Sequence, residues 1–536
     1  MRCGAGYRLF SKDTLMHERF ILTNAVIISM DANETRYDCV AVDNGRIAAL
    51  GSHADLAHLI HAGWPAYDMQ GQTILPGFID THQHLGLTGQ VLNGIDLRDA
   101  DCLETVYDRV SQRASTTAAD AWVLGYSMNE LNLREARVPL KEELDAASPD
   151  RPVMLVHASW HLCMLNSLAL DLLNLPPNLP GMDIGPNGPT GVVRDPGALS
   201  HVFPMVNNLT PERVRLAGYE AACHAALKQG ITSMHCLEGG EFGPGGTRVV
   251  VANQSRFPVH TIVWNQVMDI EETVELGLPR IGGCICADGA MSAQTAAVLE
   301  PYSHDPDNYG SLNFTQEQMD DFILHSHRAG LQVAIHCEMD GAVEQVLTAM
   351  ERAIAAHPRD NHRHRIEHCE IPTEDQMNRM AAAGIIASMQ PSFLPYLVVW
   401  DDYIRWFGPE RMQRIQPYRT MLDKGIVMCG GSDGPITPYS PLKGVQSAVL
   451  HPVPEQALTV TEALRMFTSD AAYSGFDETE RGSIEVGKVA DLVVLAADPT
   501  AVAPETIADI PIAQVYIAGK PTIEEPLTQD KVEPAA

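Results

Sequence analysis

A (β/α)8 barrel, bracketed by two β segments that join into one small β-sandwich, is the architecture this 536-residue sequence predicts. Three observations predict it. Helical and strand-like segments alternate from about residue 211 to 433, which implies parallel strands joined by right-handed crossovers. Short strands with turn signals occupy both ends of the chain. Histidine and aspartate recur where the later strands stop, the end at which barrels carry their chemistry.

The terminal elements come first. Residues 18–73 read as short strands, with Asp43-Asn44-Gly45-Arg46 as a hairpin turn between alternating apolar residues. Strands at 482–498 and 512–520 return at the other end. The expected division is a disordered extension at 1–15, a composite β-sandwich from 16–73 and 480–525, and a barrel over 74–479. Two insertions are expected in the barrel. Residues 86–150 are irregular, with helical spacing at Leu103–Ala114 and a strand candidate at Trp122–Ser127. A stronger strand follows at Pro152–Ala158. Residues 173–210, rich in Pro, Gly and Asn, read as a long surface excursion.

The regular part then unfolds in order. Helix Pro211–Gln229, closed by Gly230, leads to strand Ile231–Leu237. His260–Asn265 and Cys284–Asp288 are short strands. Helix Thr315–Ala329 precedes strand Gln332–His336, and helix Gly341–Ala355 precedes Arg365–His368. Helix Thr373–Ala383 precedes Ile385–Met389, and the last strand lies in Gly425–Asp433.

Composition narrows the function. No apolar run approaches the ~18 residues of a membrane-spanning helix. The first fifteen residues lack the apolar core of a signal peptide. A net charge of −31 argues against nucleic acid or an anionic membrane as partner. Solubility accounts for that charge, with a cationic substrate as the alternative. Eleven cysteines show no framework spacing, and Cys236, Cys284, Cys286, Cys337, Cys369 and Cys429 sit in apolar runs. Buried free thiols in a reducing, cytoplasmic compartment fit this pattern.

The candidate chemistry gathers at strand ends. In the stretch ILPGFIDTHQHL (74–85), His82 and His84 share one face of a strand and can aim two imidazoles at one cation. Alone this pair is weak, and His362 and His364 repeat it. His336 closes QVAIH, His368 closes RIEH and Asp433 closes VMCGGSD, while Cys284 and Asp288 flank the end of CICADG. Each is individually ordinary; in barrel order they make a metal-ligand set.

Seven stretches together resemble the amidohydrolase superfamily, in particular the subgroup that includes N-substituted formamide deformylases. They are LPGFIDTHQH (75–84), SPDRPVML (148–155), ADGAMSAQTAAVLEPY (287–302), AIHCEMDGAVEQVL (334–347), HRIEHCE (364–370), GSDGP (431–435) and GSIEVGKVADLVVL (482–495). The resemblance covers nearly the whole chain from about residue 17. It implies a metal-dependent hydrolase with one or two divalent ions, zinc expected. His82 and His84 would hold the more buried ion and His336 and His368 the second. Asp433 would contact metal, take the proton of the attacking water and pass it to the leaving nitrogen. Where many relatives carry a bridging carboxylated lysine, this chain has Cys284. A thiolate can bridge two ions; otherwise Cys284 is a small core residue beside a single ion. Cys286, of the same face parity, is the second candidate. Glu338 and Glu370 are candidates for orienting the imidazoles.

Substrate contacts are expected from His161, His235, Asp288, Trp160 and Gln390, with Trp122 and Trp264 as pocket or core. The relatives' Gln-Pro-x-His reads Gln390-Pro391-Ser392-Phe393 here, which tilts the pocket toward an apolar or aromatic substrate. The expected reaction is hydrolysis of a small hydrophobic amide or formamide, by a homodimer. Ester or lactone hydrolysis, and a non-catalytic scaffold of the same fold, are the alternatives.

Overall fold

Eight parallel strands follow one another in sequence order around a barrel. They are Phe78–Gln83, Ile231–Glu238, His260–Asn265, Arg280–Cys286, Gln332–Cys337, Arg365–His368, Ile386–Met389 and Met428–Gly430. A parallel bridge between Gln83 and Gly434 brings the last strand back to the first. The computed structural model describes residues 18–522 except 159, 161, 177, 195, 196, 241 and 242, so the extension expected at 1–15 lies outside the described residues. Two units divide the chain. One comprises Met1–Gln83, His224–Leu237 and Pro258–Ala536, the other His84–Cys223 and Glu238–Phe257.

Local rules explain the helices that separate the later strands. Thr315 and Thr373 each open a helix with a reciprocal capping box, through Gln318 and Gln376 respectively. Gly384, at φ +68°, ends the helix Glu374–Ala383 in the left-handed conformation. The strand Gln332–Cys337 is buried at all six positions, as a parallel strand covered on both faces must be. Among the described residues no helix is long and apolar enough to cross a membrane.

The two chain ends build one sandwich. A four-stranded sheet runs Arg46–Gly51, Cys39–Asp43, Arg19–Thr23, Ala66–Asp68. A six-stranded sheet runs Lys520–Pro521, Ile512–Ile517, Leu492–Leu495, Thr73–Pro76, Val26–Ile28, Arg36–Tyr37. The C-terminal strand Leu492–Leu495 pairs antiparallel with Thr73–Pro76, so neither end completes this sheet alone. Alternate residues of the two sheets, Phe20, Leu22, Val40 and Val42 against Ile74, Leu492, Val494 and Tyr516, share one apolar core. The turn between Cys39–Asp43 and Arg46–Gly51 holds Asn44 at φ +49° and Gly45 at φ +78°, the left-handed pair that an Asn-Gly hairpin supplies.

The second unit departs from the sequence reading. Residues 173–210 are not a surface excursion: with the strands expected at Trp122–Ser127 and Pro152–Ala158 they build a six-stranded mixed sheet. Its order is Met182–Gly185, Gly188–Arg194, Leu162–Leu165, Val153–His157, Val123–Met128, Ile95–Asp96. Val153 and Leu155 face one apolar cluster with Val106 and Val110, while Met154 and Val156 face another with Tyr126 and Val193. A sheet buried on both faces lacks the polar–apolar alternation by which exposed strands are read, and Gly188, Pro189 and Gly191 disguise its edge. The fourth barrel strand is also displaced. It runs Arg280–Cys286 rather than Cys284–Asp288, because Gly282-Gly283 sits in its middle.

The sandwich core generates a direct stability test. Leu492→Ala should destabilise the protein by about 2–5 kcal/mol through lost burial and a residual cavity. Leu131→Ala, at an exposed position, should stay within about 0.5 kcal/mol of the parent, with urea-unfolding midpoints as the measurement.

Candidate metal centre

The first barrel strand delivers His82. Its imidazole is fully buried, with Nδ1 2.6 Å from Glu367 Oε2 and Nε2 3.3 Å from Asp433 Oδ1. An ionised carboxylate only accepts, so Nδ1–H donates and Nε2 is the atom turned to Asp433. Glu367 in turn accepts from Arg365 through Nε at 2.7 Å and Nη2 at 2.8 Å. Arg365 also donates to His235 Nδ1 at 2.8 Å, Thr81 O at 2.8 Å and Ser388 Oγ at 2.9 Å. Its guanidinium lies 4.7 Å from the centre of the buried Trp264 ring.

Electrostatics follow from these contacts. Burial opposes the charge of Glu367, but Arg365 and His82 outweigh it and hold the carboxyl at about 2. Burial likewise opposes protonation of His82, yet Asp433 and Glu367 raise its imidazole to about 9. At His336 and His368 burial prevails and keeps both neutral, His336 down at about 4. A neutral imidazole is the form that binds a cation.

The other strand ends bring the remaining groups together. His368 sits at φ +71° and Asp433 at φ +54°, both left-handed, so the chain turns sharply where each ligand-type side chain is presented. The His368 ring lies 4.8 Å from that of His82 and 4.4 Å from that of His336, centre to centre. Donor atoms of His82, Cys284 and His368 all lie within 4.8 Å of one another, and so do those of Cys284, Cys286 and His336. Both His368 ring nitrogens are buried without a hydrogen-bond partner among the described residues. Buried polar atoms are otherwise almost always satisfied, and a divalent cation is what this donor set would accept. His84, also buried, lies one residue past the strand, at the N-cap of helix Leu85–Asn93.

The glycine pair that displaced the fourth strand shapes this region. Gly282 and Gly283 have φ of +89° and +99°, and the register against Gln332–Cys337 slips between Gly282 and Cys286. A Cβ on Gly282 would stand 2.1 Å from Ala334 O, so only glycine fits the bulge that leads into Cys284.

The expected substrate contacts fall in different places. His161 lies outside the described residues. His235 is fully buried against Arg365. Asp288 is buried, accepts from the backbone N–H of Ala297, Glu338 and Met339, and lies 3.5 Å from His336 Nε2. Burial lifts its carboxyl to about 7. Gln390 is buried and donates to Ser388 O at 3.3 Å, while Phe393 stacks on His368 with centres 5.8 Å apart. Trp160, in the second unit, packs on Tyr126 and Phe203, and Trp122 lies in the same apolar cluster.

Glu338 and Glu370 do not orient imidazoles. Glu338 accepts from the Met291 N–H, and Glu370 accepts from Gln416 Nε2 at 3.0 and 2.9 Å. That task falls to Glu367, which the sequence reading missed. The available signal was an Arg and a Glu two residues apart inside the four-residue strand RIEH, a placement that buries both charges on one face.

Comparison with known proteins agrees with this geometry. Residues 66–523 match the profile of the Amidohydrolase family. The chain is 30% identical to the putative amidohydrolase YtcJ of Bacillus subtilis (strain 168), over 93% of this chain and 98% of that protein. It is 26% identical to the N-substituted formamide deformylase of Arthrobacter pascens, over 94% of this chain and 98% of that one. It also superposes with a TM-score of 0.77 on an uncharacterised metal-dependent hydrolase from Pyrococcus furiosus, at 26% identity, covering 90% of this chain and all of that one. The chain belongs to the amidohydrolase family and is a metal-dependent hydrolase of carbon–nitrogen bonds.

Proposed function

We propose that the protein hydrolyses the amide or formamide bond of a small substrate with a hydrophobic or aromatic N-substituent. The observation that carries this reading is the convergence of His82, His336, His368 and Cys284 beside the carboxylate of Asp433 at the C-terminal ends of barrel strands. Those residues would hold the cation, with zinc the ion that imidazole and thiolate donors favour. When bound, it lowers the pKa of a water molecule and polarises a carbonyl.

The chain's own groups supply the rest. Asp433 accepts the proton of the attacking water at a carboxylate oxygen, then returns it to the leaving nitrogen as general acid. The backbone N–H of Asp433 is tied to His82 O at 2.7 Å, which fixes that carboxylate against the first strand. Glu367 fixes the ring of His82, and Arg365 keeps Glu367 ionised.

An apolar substrate is supported by Phe393, whose ring lies flat beside His368 at an interplanar angle of 18°. Leu394, Met291, Met339 and Ile371 form an apolar cluster of the same unit. The Arthrobacter relative named as an N-substituted formamide deformylase fits the same class. The ten free cysteines among the described residues, nine of them buried, fit a reducing, cytoplasmic location.

Two variants test the assignment. Asp433→Asn should lower kcat on an N-benzylformamide-type substrate by about 10²–10⁴-fold while KM changes far less, since a proton carrier and not a binding group is removed. Matched amides and esters run in parallel would disprove the amide reading if only the esters turned over. Glu367→Gln should weaken cation affinity by about 10–100-fold, read by competition with a chelating dye; unchanged affinity would sink the orienting role of Glu367.

A further inference from the structure

We propose that Cys284 and Cys286, together with His336, form a dithiolate–imidazole site for a soft divalent cation, with Cys284 shared between this site and the His82–His368 pair. The inference rests on the metal-centre reading and specifies the second position within it.

Cys284 is the residue common to two separate sets of converging donors, His82–Cys284–His368 and Cys284–Cys286–His336. A thiolate sulfur has lone pairs for two ions, so that shared position is where a bridging ligand would stand. Cys284 and Cys286 are two residues apart in one strand and pack with the same apolar cluster, so they present sulfur from one face. Cys284 is buried and Cys286 is half-buried, which places the second sulfur nearer solvent.

The imidazole completes the set. His336 Nε2 lies 3.3 Å from the Gly289 carbonyl, which can only accept, so Nε2 carries the hydrogen. Its Nδ1 lone pair then faces Cys284 Sγ at 3.7 Å. With a cation present, Nδ1 and the two sulfurs would point at one centre.

The chemistry selects the ion. Two thiolates, one of them shared with the neighbouring ion, offset part of the charge of a divalent cation and so lower the cost of burying it. Each thiol gives up its proton to solvent as its S–H bond is replaced by a sulfur–metal bond. A soft N/S donor set favours zinc or cobalt over magnesium or calcium.

Cobalt reports sulfur ligation directly. Full-length protein would be produced in cobalt-supplemented minimal medium as the parent, Cys284→Ser, Cys286→Ser, the double variant and Cys429→Ala. Cys429 is a control thiol buried in an apolar cluster with Ile79 and Ile386. The parent should show thiolate-to-cobalt charge-transfer absorption in the near ultraviolet as well as visible ligand-field bands. Cys286→Ser should lose about a third of the charge-transfer intensity, since one of three sulfur–metal bonds goes, and the double variant all of it, with Cys429→Ala unchanged. Visible bands without charge transfer in the parent would overturn the proposal and leave the hydrolase reading standing. A full-strength band in Cys286→Ser would also overturn it, and this half-buried position remains testable if Cys284→Ser fails to fold. No cobalt absorption in the parent would overturn both readings.

Discussion

Arg365, Glu367 and His82 form a buried chain of charge on which the centre of the barrel depends. Arg365 is sealed from solvent yet spends its donors on Glu367, His235, Thr81 and Ser388, which belong to four different barrel strands. A buried charge left without its partner costs about 3–5 kcal/mol, so each of these groups constrains the others. The barrel interior is therefore not a purely apolar plug. It carries an ionic layer beneath the imidazoles, and that layer holds Nδ1 of His82 as a donor to Glu367 with Nε2 turned to Asp433.

From that layer outward the protonation states diverge in a consistent way. Glu367 stays ionised because Arg365 faces it, and His336 and His368 stay neutral because burial penalises their charged form. Identical side chains thus take different roles by environment. The left-handed turns at His368 and Asp433, and the glycine bulge before Cys284, aim the ligand-type groups inward at strand ends. Backbone strain of this kind, on the order of 1–3 kcal/mol per residue, persists only where surrounding packing enforces it.

Much of this was readable in the chain itself, and the failures have physical causes. The later helix–strand pairs announced themselves because each helix carries its own caps, such as Thr373 with Gln376 and Gly384. Arg365–His368 was bounded to the residue. The six-stranded sheet of the second unit was read only in part: Trp122–Ser127 and Pro152–Ala158 stood out as strands, while burial on both faces and the Gly188, Pro189 and Gly191 of its edge hairpin hid the rest. Arg280–Cys286 was misplaced because strand propensity says nothing of a glycine bulge. Glu338 and Glu370 looked like orienting carboxylates by proximity in sequence to His336 and His368, yet their side chains bond to Met291 and Gln416.

What the sequence determined by itself is local and chemical: the order of strands and helices, the residue type at each strand end, and cysteine in place of lysine at position 284. Those follow from periodicity, capping and donor identity, which act within a few residues. Tertiary structure alone decided which donors meet, which carboxylate holds His82, and that Cys284 belongs to two donor sets at once. Such pairings join residues far apart in the chain, His82 and Glu367 by 285 positions, and depend on strand register and barrel closure, which no local pattern encodes.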